Sequence, residues 1–279
     1  MKLKINGIAY FYTWLTEYQA TRPTLLCLHG FTGTGATFNG IANEFPDHNL
    51  LTIDLIGHGQ SASFVHPYRY QMTSLTQDIR LLTNQLGITQ FALLGYSMGA
   101  RVALSFSLSY PELVTALILE SGSPGLASPS ARRERRVSDL HLAQKLLKEP
   151  LCDFINFWEA LPLFESQKRL SSHGQSLIRQ ERLNQTAFGL ATSLWAMGTG
   201  SQPDYWPQLT DLQSFPVLLV TGKEDLKFQE IAQQMIARQP TITGEIIPYA
   251  GHAVHLEQPK RFAQVINHWL KGATLDETN

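Results

Sequence analysis

Cysteine is scarce in this chain of 279 residues: Cys27 and Cys152 are too few to build a disulfide framework. Cys27 lies in TLLCLHG and reads as a small buried hydrophobe. A reducing, cytoplasmic setting is the natural expectation. Net charge is also nearly absent, 22 Lys and Arg against 23 Asp and Glu, for a formal charge of -1. That balance argues against nucleic acid or an anionic membrane surface as partner. Long apolar runs are missing, so no integral membrane segment is expected. The opening MKLKINGIAYFYTWLTEYQ is interrupted by Asn6, Thr13 and Glu17 and followed by no small-residue cleavage site, and so reads as mature structure. There is no H-E-x-x-H, no cysteine cluster, and no Walker lysine with its Ser/Thr. FTGTG and GHGQS are glycine-rich turns without the spacing of a nucleotide fingerprint. Neither a metal nor a cofactor is expected, and His29 is read as ordering its loop.

What is present is a globular composition, 43% hydrophobic and 16% charged, in a rhythm of strand and helix. Residues 3–20 suggest a hairpin at a sheet edge. TLLCLHG (24–30), NLLTI (49–53), FALLGYS (91–97) and VTALILES (114–121) are short apolar runs, as expected of strands covered on both faces. A helix is expected within FTGTGATFNGIANEF. SLTQDIRLLTNQLG (74–87) carries apolar residues at 75, 79, 82 and 86, the spacing of an amphipathic helix, with Gly87 as its C-terminal stop. The rhythm breaks near Pro124 and resumes near Pro207 with FPVLLVTG (215–222), a helix over 227–237, TGEIIPYA (243–250) and a helix near 259–271. The intervening stretch is helix-like and too long for a connection. The expected architecture is therefore α/β, a mostly parallel sheet flanked by helices. Its core comprises residues 1–123 and 208–279, and residues 124–207 form an inserted helical cap. The tail KGATLDETN is expected to fray.

The chemistry concentrates in GYSMGARVAL (95–104). Gly95, Ser97 and Gly99 make a G-x-S-x-G motif between a strand and a helix, the setting that exposes a serine on a sharp elbow. An acid is expected after the strand VLLVTG; Asp225 is chosen over Glu224, which should face solvent, although Asp225 could instead be an N-cap. A histidine is expected after the last strand. His252 follows Gly251 at the strand exit, while His255 reads as a packing or hydrogen-bonding residue. The order serine, acid, histidine is that of the α/β-hydrolase arrangement. Backbone amides of Met98, at a helix start, and of Phe31, in the loop after LLCLHG, are the candidate oxyanion donors.

A cation four residues beyond Ser97 is unexpected for a hydrolase of greasy esters. Arg101 either forms an ion pair beneath the elbow or binds a ligand, and the sequence leaves both open. Residues 132–182 hold ten basic residues against seven acids, including Arg132, Arg133, Arg135 and Arg136 in ARRERR. Most should be solvated; one or two facing Ser97 would, with Arg101, bind carboxylates in forks. Trp158 is either cap core or a rim aromatic stacked on substrate.

GYSMGARVAL, SGSPGLASPSARRERRVSDLHLA, the FW and PLF segment, TGKEDLKF and AGHAVHLEQP together resemble the 2-succinyl-6-hydroxy-2,4-cyclohexadiene-1-carboxylate synthases of menaquinone and phylloquinone biosynthesis. The resemblance runs over roughly residues 25–270. One departure is Ala100, where a second glycine is common; alanine suits a helix start. The resemblance implies elimination of pyruvate from 2-succinyl-5-enolpyruvyl-6-hydroxy-3-cyclohexene-1-carboxylate, a small polycarboxylate. It implies Ser97, Asp225 and His252 as the triad, and Arg101, Arg135, Arg182, Trp158 and Tyr96 as substrate-binding residues. The alternatives are a serine hydrolase of a carboxylated ester or C–C bond substrate, and a non-catalytic receptor for an acidic small molecule. The oligomeric state stays open.

Overall fold

The computed structural model describes residues 1–275. The chain opens with a hairpin, β1 (Lys2–Ile5) and β2 (Ile8–Trp14). Its two turn residues, Asn6 and Gly7, have φ of 49° and 84°. Two consecutive left-handed residues make a turn whose twist matches that of the flanking strands, and Asn-Gly is the pair that adopts it most readily. The parallel strands follow: β3 (Thr24–Leu28), β4 (Asn49–Ile53), β5 (Phe91–Tyr96), β6 (Val114–Glu120), β7 (Val217–Gly222) and β8 (Ile242–Ile247). Among the described residues the sheet order is β1-β2-β4-β3-β5-β6-β7-β8. β2 meets β4 antiparallel, and every pairing from β4 through β8 is parallel. The sheet is thus mostly parallel, with the expected hairpin at its edge.

Helices cover both faces. On one lie α1 (Met72–Gln85) and α2 (Met98–Ser109), packing Leu75, Ile79 and Leu82, then Val102 and Phe106, against Leu26, Leu93 and Leu117. α1 ends as the sequence predicts: Gly87 is left-handed at φ 74°, its N–H donates to Asn84 O, and Ile88 N–H donates to Thr83 O at 2.9 Å. This pair of bonds is a Schellman stop. Between β6 and β7 there is no strand among the described residues. Instead come α3 (Pro129–Lys148), α4 (Leu151–Glu159), α5 (Ser172–Leu183) and α6 (Ala187–Met197). Leu146, Phe154, Ile155, Leu190 and Leu194 form a third apolar cluster of their own, and Phe31 of the sheet loops packs against it. After β7 come α7 (Leu226–Arg238), α8 (Val254–Glu257) and α9 (Pro259–Leu275). Phe262, Ile266 and Leu270 of α9 fill the other face of the sheet with Phe38 and Ile41.

Two details differ from expectation. The segment Gly35–Glu44 is a 3-10 helix. Gly35, Gly40, Asn39 and Asn43 are weak α-formers, which accounts for the tighter 3-10 coil in place of an α-helix. The tail expected to fray is helical through Leu275, and residues 276–279 of it lie outside the described residues. No helix is long and apolar enough to cross a membrane, among the described residues.

Candidate active site

Ser97 sits where β5 turns into α2, with φ 52° and ψ -104°. A non-glycine residue is held in such a conformation only when its surroundings over-determine it. The two glycines of the motif do so. A Cβ on Gly95 would strike the Gly99 backbone, and one on Gly99 would strike the carbonyls of Leu28 and His29. The elbow can therefore press against both its own helix and the end of β3, and the Ser97 N–H is anchored on Glu120 O at 2.8 Å. The serine is pushed up at the carboxyl end of the sheet.

The structure brings the three sequence-selected side chains into one hydrogen-bonded run. Ser97 Oγ lies 2.9 Å from His252 Nε2, and His252 Nδ1 lies 2.7 Å from Asp225 Oδ2. The arrangement is buried at His252 and Asp225. With Asp225 accepting from Nδ1–H, Nε2 carries the lone pair that can take the Ser97 proton. Asp225 occupies the N-cap position of α7, yet its carboxylate makes no capping bond; it is committed to His252. Glu224 instead faces out and pairs with Arg169 at 2.7 Å.

His255 is fully buried and does a different job. Its Nδ1 and backbone N–H both meet the Glu120 carboxylate, and Nε2 meets Thr37 Oγ1 at 2.9 Å. His29 ties the loop after β3: Leu55 N–H donates to Nε2 at 2.9 Å, and Nδ1–H donates to Gly30 O at 2.8 Å. Burial pushes its pKa down to about 4, consistent with a neutral ring. Sequence reasoning passed over Glu257. Its carboxylate accepts the Gly251 N–H at 2.8 Å and the Ala253 N–H at 3.3 Å, bracketing His252 from both sides. A glutamate five residues beyond a candidate histidine was a signal that it could clamp the loop. Burial raises the pKa of that carboxyl.

Above Ser97 is a cavity of about 190 Å³. Phe31, Tyr96, Met98, Arg101, Arg135, Trp158 and His252 all line it. The Met98 and Phe31 amides have no hydrogen-bond partner among the described residues, as oxyanion donors would require. Arg101 donates Nη1 to Met197 O at 2.6 Å and lies 3.5 Å from Gln202 Oε1. It makes no ion pair among the described residues, so the alternative of a structural pair beneath the elbow does not occur. Burial, with the like charge of Arg135 beside it, pushes the Arg101 pKa down to about 10. Arg135 gives Nε to Asp139 at 2.7 Å, and its two terminal nitrogens have no partner among the described residues. Trp158 packs on Phe31, Phe154 and Phe164, and its buried Nε1–H has no partner among the described residues. It belongs to cap core and cavity wall at once. The Tyr96 phenol is raised well above its ordinary pKa by burial first and Glu120 second.

Arg182 is not brought to this cavity. It lies behind Phe164, its guanidinium 4.8 Å from that ring, and bonds Glu159 and Gln167. Several lining residues escaped the sequence reading, Ser121, Phe228 and Lys227 among them. Ser121, at the end of β6, is buried with φ 49° and an unpartnered hydroxyl. Phe228 sets its ring 4.7 Å from that of His252, tilted by 50°, and Lys227 precedes it. Their place two and three residues past Asp225 was the available clue. No Asp or Glu is among the residues lining the cavity.

Comparison with known proteins agrees with this architecture. A family described as alpha/beta hydrolase fold matches residues 23–259. A protein of Bacillus subtilis (strain 168), provisionally named 2-succinyl-6-hydroxy-2,4-cyclohexadiene-1-carboxylate synthase, is 42% identical over 88% of this chain and 89% of its own length. The protein of that name from Serratia proteamaculans (strain 568) is 31% identical, over 92% of this chain and 96% of its own. The structure of MenH from S. aureus superimposes with a TM-score of 0.87 at 33% identity, covering 95% of this chain and 98% of that one.

Proposed function

This chain belongs to the 2-succinyl-6-hydroxy-2,4-cyclohexadiene-1-carboxylate synthase family of α/β-hydrolase-fold enzymes, and we propose that Ser97, His252 and Asp225 are the base with which it eliminates pyruvate. The substrate, 2-succinyl-5-enolpyruvyl-6-hydroxy-3-cyclohexene-1-carboxylate, carries three carboxylates. Its ring C–H next to the succinyl ketone is the acidic one. Ser97 Oγ, its own proton drawn off by His252, takes that hydrogen. The electron pair moves onto the ketone oxygen, where the Met98 and Phe31 amides stabilise the enolate. The carbonyl then re-forms, a double bond forms between ring C2 and C3, the existing C3=C4 pair shifts to C4=C5, and the C5–O bond breaks. Enolpyruvate leaves with that electron pair, gains a proton and becomes pyruvate. No acyl-enzyme is required.

The observation that carries this reading is the Ser97–His252–Asp225 run under a cavity lined by cations and by no carboxylate. An esterase acting on neutral substrates has no use for Arg101 and Arg135 there; a polycarboxylate does. Residues 124–207 form the cap that closes over it, and Trp158 and Tyr96 wall the substrate. Arg182 reaches the substrate only if the Phe164 ring turns aside. We assign the enzyme to the cytoplasm, consistent with two cysteines that are both free.

The test supplies the enolpyruvyl substrate and follows pyruvate. Wild type releases it; Ser97→Ala loses most turnover while still binding substrate. Faster hydrolysis of neutral and anionic esters than pyruvate release would favour the hydrolase reading. Tight binding by well-folded protein without any turnover would favour the receptor. An obligatory covalent adduct on Ser97 would overturn the general-base role.

A further inference from the structure

Three cations line the cavity, on three different elements: Arg101 on α2, Arg135 on α3 and Lys227 on α7. The first two are guanidinium forks held by Met197 O and by Asp139. Lys227 differs from them. Its side chain is exposed, its Nζ is 5.5 Å from the Phe228 ring centroid, and it makes no hydrogen bond or ion pair among the described residues. The acids near it are otherwise placed. Glu224 is taken by Arg169, Asp225 by His252, and Glu230 accepts a hydrogen bond from Gln234 at 3.4 Å.

The position of Lys227 is set by the triad. Asp225 is locked to His252, so α7 begins at a fixed place and its first turn follows rigidly. Phe228 then lies against His252 and forms that wall of the cavity. A lysine at the exposed lip of this wall presents three donors on a flexible four-carbon stem. Two substrate carboxylates, on the ring and on the enolpyruvyl group, must be held in register with Ser97, and rigid forks suit that task. The third ends the succinyl chain, two methylenes from the ketone, and moves with its tether. A mobile point charge suits it better than a fork.

We propose that Lys227 is the subsite for the terminal carboxylate of the succinyl chain and a determinant of specificity for the charged substrate. This rests on the elimination reading above and extends it to a residue outside the triad and the arginines. The experiment compares the natural substrate with the analogue whose succinyl carboxylate is a primary amide, using wild type, Lys227→Met and Lys227→Arg. Wild type prefers the acid by about 3- to 10-fold in kcat/KM, the range of a charge-assisted bond at an exposed position. Lys227→Met loses that preference and its KM for the acid rises by about the same factor, while Lys227→Arg keeps the preference. The wild-type preference falls as salt is raised. If wild type releases pyruvate and Lys227→Met keeps the full preference for the acid, this inference is wrong and the elimination reading stands. If wild type releases no pyruvate, the reading beneath it fails and the subsite with it.

Discussion

Replacing Arg101 by methionine separates a structural role from a ligand-binding one. The guanidinium gives one nitrogen to Met197 O at 2.6 Å and meets no carboxylate among the described residues. Burial and Arg135 lower its pKa to about 10, so it remains cationic at neutral pH. A cation held in this way is poorly compensated until a carboxylate arrives. Truncating one partner of a desolvated, hydrogen-bonded charge pair costs about 2–5 kcal/mol. Taking about 2–4 kcal/mol, kcat/KM should fall by about 30- to 1000-fold, because each 1.36 kcal/mol is a factor of ten. Stability should behave otherwise. Methionine keeps the apolar stem, loses one hydrogen bond worth about 1 kcal/mol, and removes the cost of an unpaired charge of similar size. Tm should therefore stay within about 3 °C of wild type. The assay is pyruvate release across substrate concentration, with thermal melts on the same samples. Wild-type kinetics in Arg101→Met would refute the ligand role. A large fall in Tm with proportionate loss of active enzyme would show instead that the bond to Met197 holds the cap.

Other outcomes follow from the same geometry. Asp225→Asn keeps the size of the side chain but removes the charge that fixes the His252 tautomer, so kcat should drop by about 100- to 10,000-fold with KM changed far less. Ser121 pays for its left-handed backbone at φ 49° and for a buried, unpartnered hydroxyl. Ser121→Gly should raise Tm by about 2–4 °C, as relief of about 1 kcal/mol implies; a lower Tm would mean that the hydroxyl has a partner in solution. Burial holds the pKa of His29 down to about 4 and that of His58 to about 3. The unfolded chain therefore binds these protons first. Stability is full above about pH 6.5 and is lost as pH falls toward 4, at up to about 1.4 kcal/mol per unit for each histidine. Asp54, whose pKa is raised by burial, opposes part of this. Denaturant melts at pH 7 and pH 5 should show the loss, and His58→Gln should flatten it.

Legibility in the sequence tracked how local each feature is. The elbow was readable because a strand, a tight turn and a helix are encoded within one run of residues. Asp225 and Glu224 were separable because Asp225 stands where the loop enters α7, whereas Glu224 was expected to face solvent. The cap arginines were not separable. Successive residues on α3 are turned by about 100°, so which one faces Ser97 depends on how the helix docks. In the structure Arg132 caps Leu126 O, Arg136 reaches Gly200 O, Arg133 lines an outer groove and Arg135 alone of the four enters the cavity. Arg182 was hidden in the same way, because its distance from Ser97 depends on the Phe164 ring between them. Lys227 and Glu257 lie in TGKEDLKF and AGHAVHLEQP, but nothing local to those segments assigns either a role. Each matters only through what α7 or the His252 loop packs against.

The triad by itself does not choose between hydrolysis and elimination. In the proposed mechanism and in ester hydrolysis alike, an oxygen of the substrate would rest on the Met98 and Phe31 amides, with Ser97 approaching from the same side. Attack requires the carbonyl carbon above Oγ; proton removal requires the neighbouring C–H there instead. The two poses differ by about one bond, so the outcome depends on where the rest of the substrate is pinned. In the proposed mechanism the pinning groups are cations on separate elements, Arg101 on the elbow helix and Arg135 on the cap helix α3. A neutral ester engages neither and has no reason to adopt the shifted pose. In the proposed mechanism a tricarboxylate engages both, and its ring is held in register by two separate elements. On this reasoning the cations do more than add affinity. They decide which atom Ser97 meets, and so which reaction an ordinary hydrolase elbow performs.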